Sequence, residues 1–160
     1  TKMGISGSDW WSDLYELYKL VLNVPIRGED DTKAILLYSL IKAYNRYICK
    51  KEYSLWLLRI RSPYGTYTAV AFPVRGGYLT ILDPVRHYYT MNGHGYLTYA
   101  DPLSELLNYS FYLFRVDKSD ILYSIKVKAI SVRDSMLTVD FIGTLKGFSQ
   151  YIKSLFLHNE

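Results

Sequence analysis

In this 160-residue chain, the carboxylates are the side chains best suited to take part in chemistry. Glu29, Asp30 and Asp31 follow Gly28 and precede a long apolar run, while Asp83 stands directly before a proline. A short carboxylate at a helix start accepts hydrogen bonds from the free N–H groups of the first turn and meets the positive end of the helix dipole. Oxygen ligands divided between two distant segments make a poor cation site, so we expect no metal and no cofactor.

Nucleophiles and bases are scarce. Cys49 is the single cysteine, which excludes an internal disulfide and a cysteine-rich metal site, and we expect a free, partly buried thiol there. His87 and His94 flank a long loop that starts close to Asp83, so a displaced histidine could serve as a base. Solvated loop histidines are the simpler interpretation.

The order of these residues resembles a transglutaminase-like domain of the papain-type cysteine enzyme superfamily. In that family a Cys opens a buried helix within a Gly-x-Cys-x-Asp-x-Ala pattern, a strand carries the catalytic His before Ala-Val, and the next strand ends in Asp-Pro. Residues 27–34 read RGEDDTKA, residues 67–72 read YTAVAF and residues 81–84 read ILDP. The resemblance covers roughly residues 10–115. It puts Asp30 at the Cys position, Tyr67 at the His position and Asp83 at the Asp position.

This resemblance implies a degenerate catalytic triad in which Asp30, Tyr67 and Asp83 converge on one cleft. Aspartate is a poor acyl-transfer nucleophile, and a phenol with a pKa of about 10 does not take up a proton at neutral pH. We therefore expect no catalytic residue and lean against an enzyme. Two carboxylates sharing that cleft would titrate as a coupled pair, so a hydrolase or acyltransferase with a displaced catalytic group stays an alternative.

Hydrophobic periodicity predicts the helices. Apolar residues recur every three or four positions over 10–21, which predicts an amphipathic helix that Ser8–Asp9 caps and Pro25 ends. Its Trp10 and Trp11 are predicted to be one core and one rim residue. The apolar positions of 33–49 nearly encircle the helix, a pattern typical of a central, buried helix. Two further helices are predicted. One covers 103–109 and extends toward 114, and the other starts at 143.

Alternating apolar residues predict strands over 53–61, 67–74, 77–82, 121–130 and 136–141. The first three should be antiparallel neighbours, because glycines at the 75–77 turn supply the positive φ that a hairpin needs. The chain is thus predicted to be a single α+β domain over 1–160, with residues 1–8 a flexible end. We expect a mainly antiparallel sheet packed on a central buried helix, with flanking amphipathic helices.

Composition indicates the kind of partner. The chain has 17 tyrosines, which suit a half-buried sheet face or an interface because the ring packs while the hydroxyl stays solvated. The favoured function is a catalytically inactive protein-binding or peptide-binding scaffold. Its candidate contacts lie in the remnant cleft and in the loop at 85–102. They are Glu29, Asp31, His87, Tyr88, Tyr89 and His94.

A nucleic-acid-binding domain is the alternative from another class, since triad-less transglutaminase-like domains occur in excision-repair damage-recognition proteins. The net charge of +4 permits phosphate contacts, although no block of basic residues is present. The candidate phosphate contacts are Arg46, Lys50, Lys51, Arg59 and Arg61.

No apolar run reaches the length of a membrane span, and residues 1–9 are too polar for a signal peptide. Together with the single cysteine, this favours a cytoplasmic location without fixing it. The chain begins with Thr1, so it could belong to a larger or membrane-anchored protein. The oligomeric state stays open.

Overall fold

The computed structural model describes residues 7–26, 31–62, 65–114, 127–133 and 135–141. Helices and a single sheet alternate along these ranges in an α+β arrangement, as predicted. The helical elements are α1 (Gly7–Leu22), α2 (Asp31–Ala43), a π-helical segment (Tyr44–Cys49) and α3 (Pro102–Phe114). The strands are β1 (Trp56–Ser62), β2 (Gly65–Val74), β3 (Tyr78–Asp83), β4 (Tyr88–Tyr89), β5 (Val127–Arg133) and β6 (Met136–Phe141). The helix predicted from residue 143 lies outside the described residues.

The six strands form a mixed sheet in the order β4-β3-β2-β1-β6-β5. Every neighbouring pair is antiparallel except β1 and β6, which run parallel, so the sheet is mainly antiparallel as predicted. Gly76 and Gly77 make the β2–β3 turn with φ of +98° and +82°. A side chain at Gly76 would also place its Cβ 2.8 Å from the Tyr78 ring, so the turn needs glycine there.

The sheet buries one apolar cluster on each face. On the first face, hereafter the α1/α2 face, α1 and α2 pack on β2 and β3; its buried members include Leu14, Leu37, Ile41, Val70, Phe72 and Leu82. On the second, hereafter the α3 face, α3 packs on the central strands; its buried members include Leu58, Ile60, Ala69, Ile81, Leu106 and Tyr109. Side chains of successive strand residues point to opposite faces of the sheet, so residues that are neighbours in sequence belong to different clusters.

Helix α2 differs from the predicted central, buried helix. Ala34, Leu37 and Ile41 are buried against the sheet, whereas Ile35 is 49% exposed. A helix that lies on one face of a sheet contacts protein on one side, so apolar residues around its circumference do not all become core. The helix begins at Asp31, within the predicted start, and continues as the π-helical segment up to Cys49.

The segment predicted to be a long loop after β3 is ordered by pairing. Tyr88–Tyr89 form β4 against the end of β3. Thr90 then donates its N–H to the Ile81 carbonyl, and Leu79 and Ala100 exchange both backbone hydrogen bonds. Residues 88–100 therefore run along the outer edge of β3. No helix in the described ranges is long and apolar enough to span a membrane.

Candidate functional site

Asp83 lies at the end of β3 with its side chain completely buried on the α3 face. Its Oδ1 accepts hydrogen bonds from the backbone N–H groups of Val85 and Arg86, at 2.9 and 3.1 Å. Its Oδ2 accepts from Arg86 Nη1 at 2.9 Å and from the Tyr109 hydroxyl at 2.6 Å. Four donors satisfy a carboxylate fully, so Asp83 holds the turn after β3 and the helix α3 together.

Tyr67 reaches the same arginine. The Arg86 guanidinium carbon lies 4.8 Å from the centre of the Tyr67 ring, a cation–π distance. Two residues predicted to be remnant triad members thus both contact Arg86, which was not predicted. The available signal was its spacing, since Arg86 follows Asp83 by three residues across a turn that begins with Pro84.

The third remnant position, Asp30, lies outside the described residues, as does Glu29. Asp31 is the first residue of α2. That helix packs on Val70 and Leu82 of the α1/α2 face, whereas the side chains of Tyr67 and Asp83 lie on the α3 face. The convergence of Asp30, Tyr67 and Asp83 on one cleft stays a prediction, and the sheet lies between α2 and two of its three members.

Glu105 is a second buried carboxyl group, and it was not predicted. Its Oε2 accepts hydrogen bonds from the hydroxyls of Tyr88 and Thr90, at 2.7 and 2.6 Å. Burial raises the pKa of Glu105 above its usual value, and these hydrogen bonds offset only part of the shift. Burial, with the charge of Glu105, also raises the pKa of Tyr88. Glu105 is 4% exposed, and the two hydroxyls of Tyr88 and Thr90 already occupy its Oε2.

Tyr88 and Tyr89, predicted as loop contacts for a partner, point to opposite faces of the sheet. The Tyr88 ring packs on Tyr109 and Tyr112 of α3, with centroids 4.9 and 5.2 Å apart. The Tyr89 ring packs on Tyr15 and Tyr18 of α1, both at 5.4 Å. Both tyrosines are half-buried core residues, whereas His87 and His94 are exposed in turns.

The candidate phosphate contacts divide into paired and unpaired cations. Arg46 forms an ion pair with Glu52 at 3.0 Å, and Arg61 donates two hydrogen bonds to Asp140. Lys50 and Lys51 are exposed and form no ion pair with a described residue. The remaining candidate, Arg59, lies within the sheet on the α1/α2 face, because its neighbours Leu58 and Ile60 belong to the α3 cluster.

Cys49 ends the π-helical segment, far along the chain from the predicted nucleophile position. Burial raises the pKa of its thiol, and neither a hydrogen bond with Tyr44 nor the charge of Lys51 cancels that shift. A raised thiol pKa lowers the thiolate fraction and hence reactivity. Within the described ranges, no group of three or more His, Cys, Asp or Glu side chains could hold a metal ion.

A partly exposed row of five aromatic rings, hereafter the aromatic strip, runs across the described part of the chain. Trp10 and Trp11 at the start of α1 occupy its centre, 5.0 Å apart, and both pack on the buried Phe72 ring. Tyr53 lies 5.7 Å from Trp10, and Tyr99 lies 6.1 Å from Trp11. Tyr78 completes the row at 4.9 Å from Tyr99.

The two ends of the aromatic strip are open to solvent. Tyr53, Tyr78 and Tyr99 are each between 40% and 44% exposed. Trp10 is fixed by a hydrogen bond from its Nε1 to Asn45 Oδ1 at 3.2 Å. The rings of the strip come from four separate segments of the chain, so no local sequence motif predicts it. The adjacent Trp10 and Trp11 were the only indication of it in the sequence.

Comparison of the chain with protein-family models, with curated proteins and with solved structures found no significant match. The fold and the site geometry therefore carry the functional argument alone.

Proposed function

We propose that this protein is a non-catalytic binding domain that holds an extended, acidic peptide along the aromatic strip. The observation that carries the proposal is the strip itself, five rings in contact with one another and half-exposed at both ends. Rigid aromatic rings lose little conformational entropy on binding and give large contact areas, which is why they dominate recognition surfaces.

Charge complementarity supports an acidic ligand. Lys50 and Lys51 precede Tyr53 at one end of the strip, and Arg75 lies in the turn before Tyr78 at the other. All three side chains are exposed, and none forms an ion pair with a described residue. An extended peptide presents side chains on alternate sides, so its apolar residues can lie on the rings while its acidic residues reach these cations.

A groove between α1 and the π-helical segment supports the proposal less well. It has a volume of about 1000 Å³, and the apolar residues Leu17, Leu20 and Ile48 line it. Its acidic groups already have partners, because Asp13 accepts from Tyr44 at 2.5 Å and Glu16 pairs with Lys19 at 3.1 Å. Within the part of the chain that the structure describes, neither of these two carboxylates is free to orient a ligand.

Non-catalysis is the second half of the proposal. It is supported by the sealed position of Asp83, whose four donors are all protein groups, and by the raised pKa of the Cys49 thiol. Membership of the transglutaminase-like family is proposed on the order of the elements. Helix α2 comes before the antiparallel strands β2 and β3, and β3 ends at Asp83, which Pro84 follows.

Fluorescence anisotropy of a labelled peptide tests the proposal. The probe is a peptide of alternating proline and glutamate, and its matched control has lysine in place of glutamate. We expect the acidic probe alone to bind, and Tyr53→Ala or Tyr99→Ala to weaken it about tenfold, as for an aromatic contact at an interface. Tyr96→Ala is the control variant, since Tyr96 is 70% exposed and lies outside the strip. An equal loss in Tyr96→Ala, or no binding by either probe, would refute the proposal.

Single-stranded nucleic acid is a second candidate for the same surface. Lys50, Lys51 and Arg75 are exposed, form no ion pair with a described residue and lie close in sequence to Tyr53 and Tyr78. Exposed cations next to aromatic rings are the combination that holds phosphates and bases. A labelled oligothymidylate in the same assay separates the two candidates. Binding of the oligonucleotide that falls steeply with added salt, without binding of the acidic peptide, would select nucleic acid.

A further inference from the structure

The α1/α2 face of the sheet changes from apolar to polar along its strands. Val70, Leu57 and Met136 share one cross-strand row on β2, β1 and β6. Two residues further along, the corresponding row consists of Thr68, Arg59 and Thr138. Directly paired side chains on one face lie within about 5.5 Å at their Cβ atoms, so Arg59 has a threonine beside it on each neighbouring strand.

Two polar atoms of this row lack a partner. Thr68 is 2% exposed, and neither its Oγ1 nor the buried Nε of Arg59 has a hydrogen-bond partner among the described residues. Buried polar groups are nearly always paired, because an unpaired one loses its hydration without compensation. Arginine is always protonated and only donates, and a threonine hydroxyl can also donate. The group that would satisfy both atoms is therefore an acceptor.

The neighbouring row shows what Arg59 lacks. Arg61 faces Asp140 across β1 and β6, and its Nε and Nη2 donate to the two carboxylate oxygens. Arg59 occupies the equivalent place one row away, but the residue opposite it on β6 is Thr138. On the strand pair β1–β6, Arg61 therefore has the carboxylate of Asp140 opposite it, whereas Arg59 has no carboxylate opposite it.

We propose that Arg59, Thr68 and Thr138 form a binding site for a phosphate group. The planar guanidinium fork binds two oxygens of one oxyanion, as Arg61 does with Asp140. The threonine hydroxyls on the two flanking strands supply donors for a further oxygen. A phosphate group has three terminal oxygens and uses this donor set more fully than a carboxylate does. The site does not involve the aromatic strip, so it is independent of the proposed peptide-binding function.

Calorimetric titration with inorganic phosphate, at ionic strength matched with sodium chloride, tests the site. Acetate, adenosine monophosphate and adenosine are titrated in parallel. We expect phosphate to bind more tightly than acetate, and Arg59→Lys to lower phosphate affinity about tenfold, because lysine keeps the charge but loses the fork. Arg46→Lys is the matched control, since Arg46 pairs with Glu52 on an exposed surface. Binding of the monophosphate but not of inorganic phosphate would identify a phosphate ester as the ligand.

Thr68→Val gives a second test that does not depend on the arginine. Valine keeps the shape of the side chain and removes the unpaired hydroxyl, so the ligand-free variant should melt at a higher temperature than the wild type while its phosphate affinity falls about threefold. A destabilised Thr68→Val with unchanged phosphate affinity would show a structural hydroxyl and overturn the proposal. Phosphate binding no tighter than that of acetate, or an equal loss in Arg46→Lys, would overturn it as well.

Discussion

Single residues at the end of the sheet show how the surroundings of a carboxylate decide what it does. Asp83 and Glu105 are both buried on the α3 face and both accept a tyrosine hydroxyl. Asp83 also has the Arg86 guanidinium at 2.9 Å, so its charge is compensated. Glu105 accepts only uncharged donors, and burial raises its pKa. The negative charge of Glu105 therefore destabilises the folded state, whereas that of Asp83 is paired with Arg86 and holds the turn after β3 in place.

Glu105 gives a prediction about stability and pH. Its pKa is higher in the folded state than in the unfolded chain, so the folded state holds its proton more tightly and stability falls as the pH rises above the usual glutamate value of 4.5. Glu105→Gln keeps an oxygen for Tyr88 and Thr90 and removes the charge. We expect this variant to gain stability relative to the wild type between about pH 4 and about pH 7. Urea unfolding at the two pH values measures the gain.

Glu16→Gln is the control for that measurement, because Glu16 is exposed on α1 and pairs only with Lys19. Its stability relative to the wild type should change little over the same pH range. A difference between Glu105→Gln and the wild type that stays constant with pH would contradict a raised Glu105 pKa.

At the scale of elements, α2 shows which features of a sequence determine packing. Leu37 is fully buried beneath the helix and Ile35, two residues earlier, is 49% exposed. We expect Leu37→Ala to cost about 3 kcal/mol of unfolding free energy, because it removes buried methyl groups and leaves a cavity. Ile35→Ala should change it by about 0.5 kcal/mol or less. Chemical denaturation of the pair checks this, and equal costs would indicate a helix buried on all sides.

Much of this fold could be predicted from periodicity. Alternation located β1, β2 and β3 to within a few residues, since each has its own apolar stripe, and the glycines fixed the turn between β2 and β3. The exposed side of α2 could not be predicted, because apolar residues lie all around this helix. Which side is buried depends on the elements that pack on the helix in the folded protein, and the sequence pattern does not show them. The position of Arg86 against the Tyr67 ring depends on a contact between the turn after β3 and strand β2 that no local pattern shows. The role of Glu105 depends on a hydrogen bond from Tyr88, 17 positions away.

At the scale of the whole molecule, the sheet lies between α2 and two of the three residues predicted to form the remnant triad. α2 lies on one side, and the side chains of Tyr67 and Asp83 lie on the other. A nucleophile placed at the start of α2 and a base placed at position 67 would then have the sheet between them.

This separation predicts the outcome of restoring the missing triad. The double variant Asp30→Cys, Tyr67→His should show no acyl-enzyme burst with an activated ester above that of Asp30→Cys alone, because the imidazole would lie on the α3 face beside Arg86. Stopped-flow absorbance of the released nitrophenol measures the burst. A faster burst in the double variant that disappears with Asp83→Asn would instead place all three positions in one working site.

The course of residues 88–100 has a consequence for how copies of this protein behave in a crowded solution. These residues occupy the outward hydrogen-bonding groups of Leu79 and Ile81, and β4 covers the end of the same strand. An open strand edge is a template on which another molecule can add a strand and start a fibril. Because β3 has its backbone groups taken along its length, intermolecular strand addition cannot begin on that edge. The segment that carries two tyrosines into the two cores also protects the edge of β3.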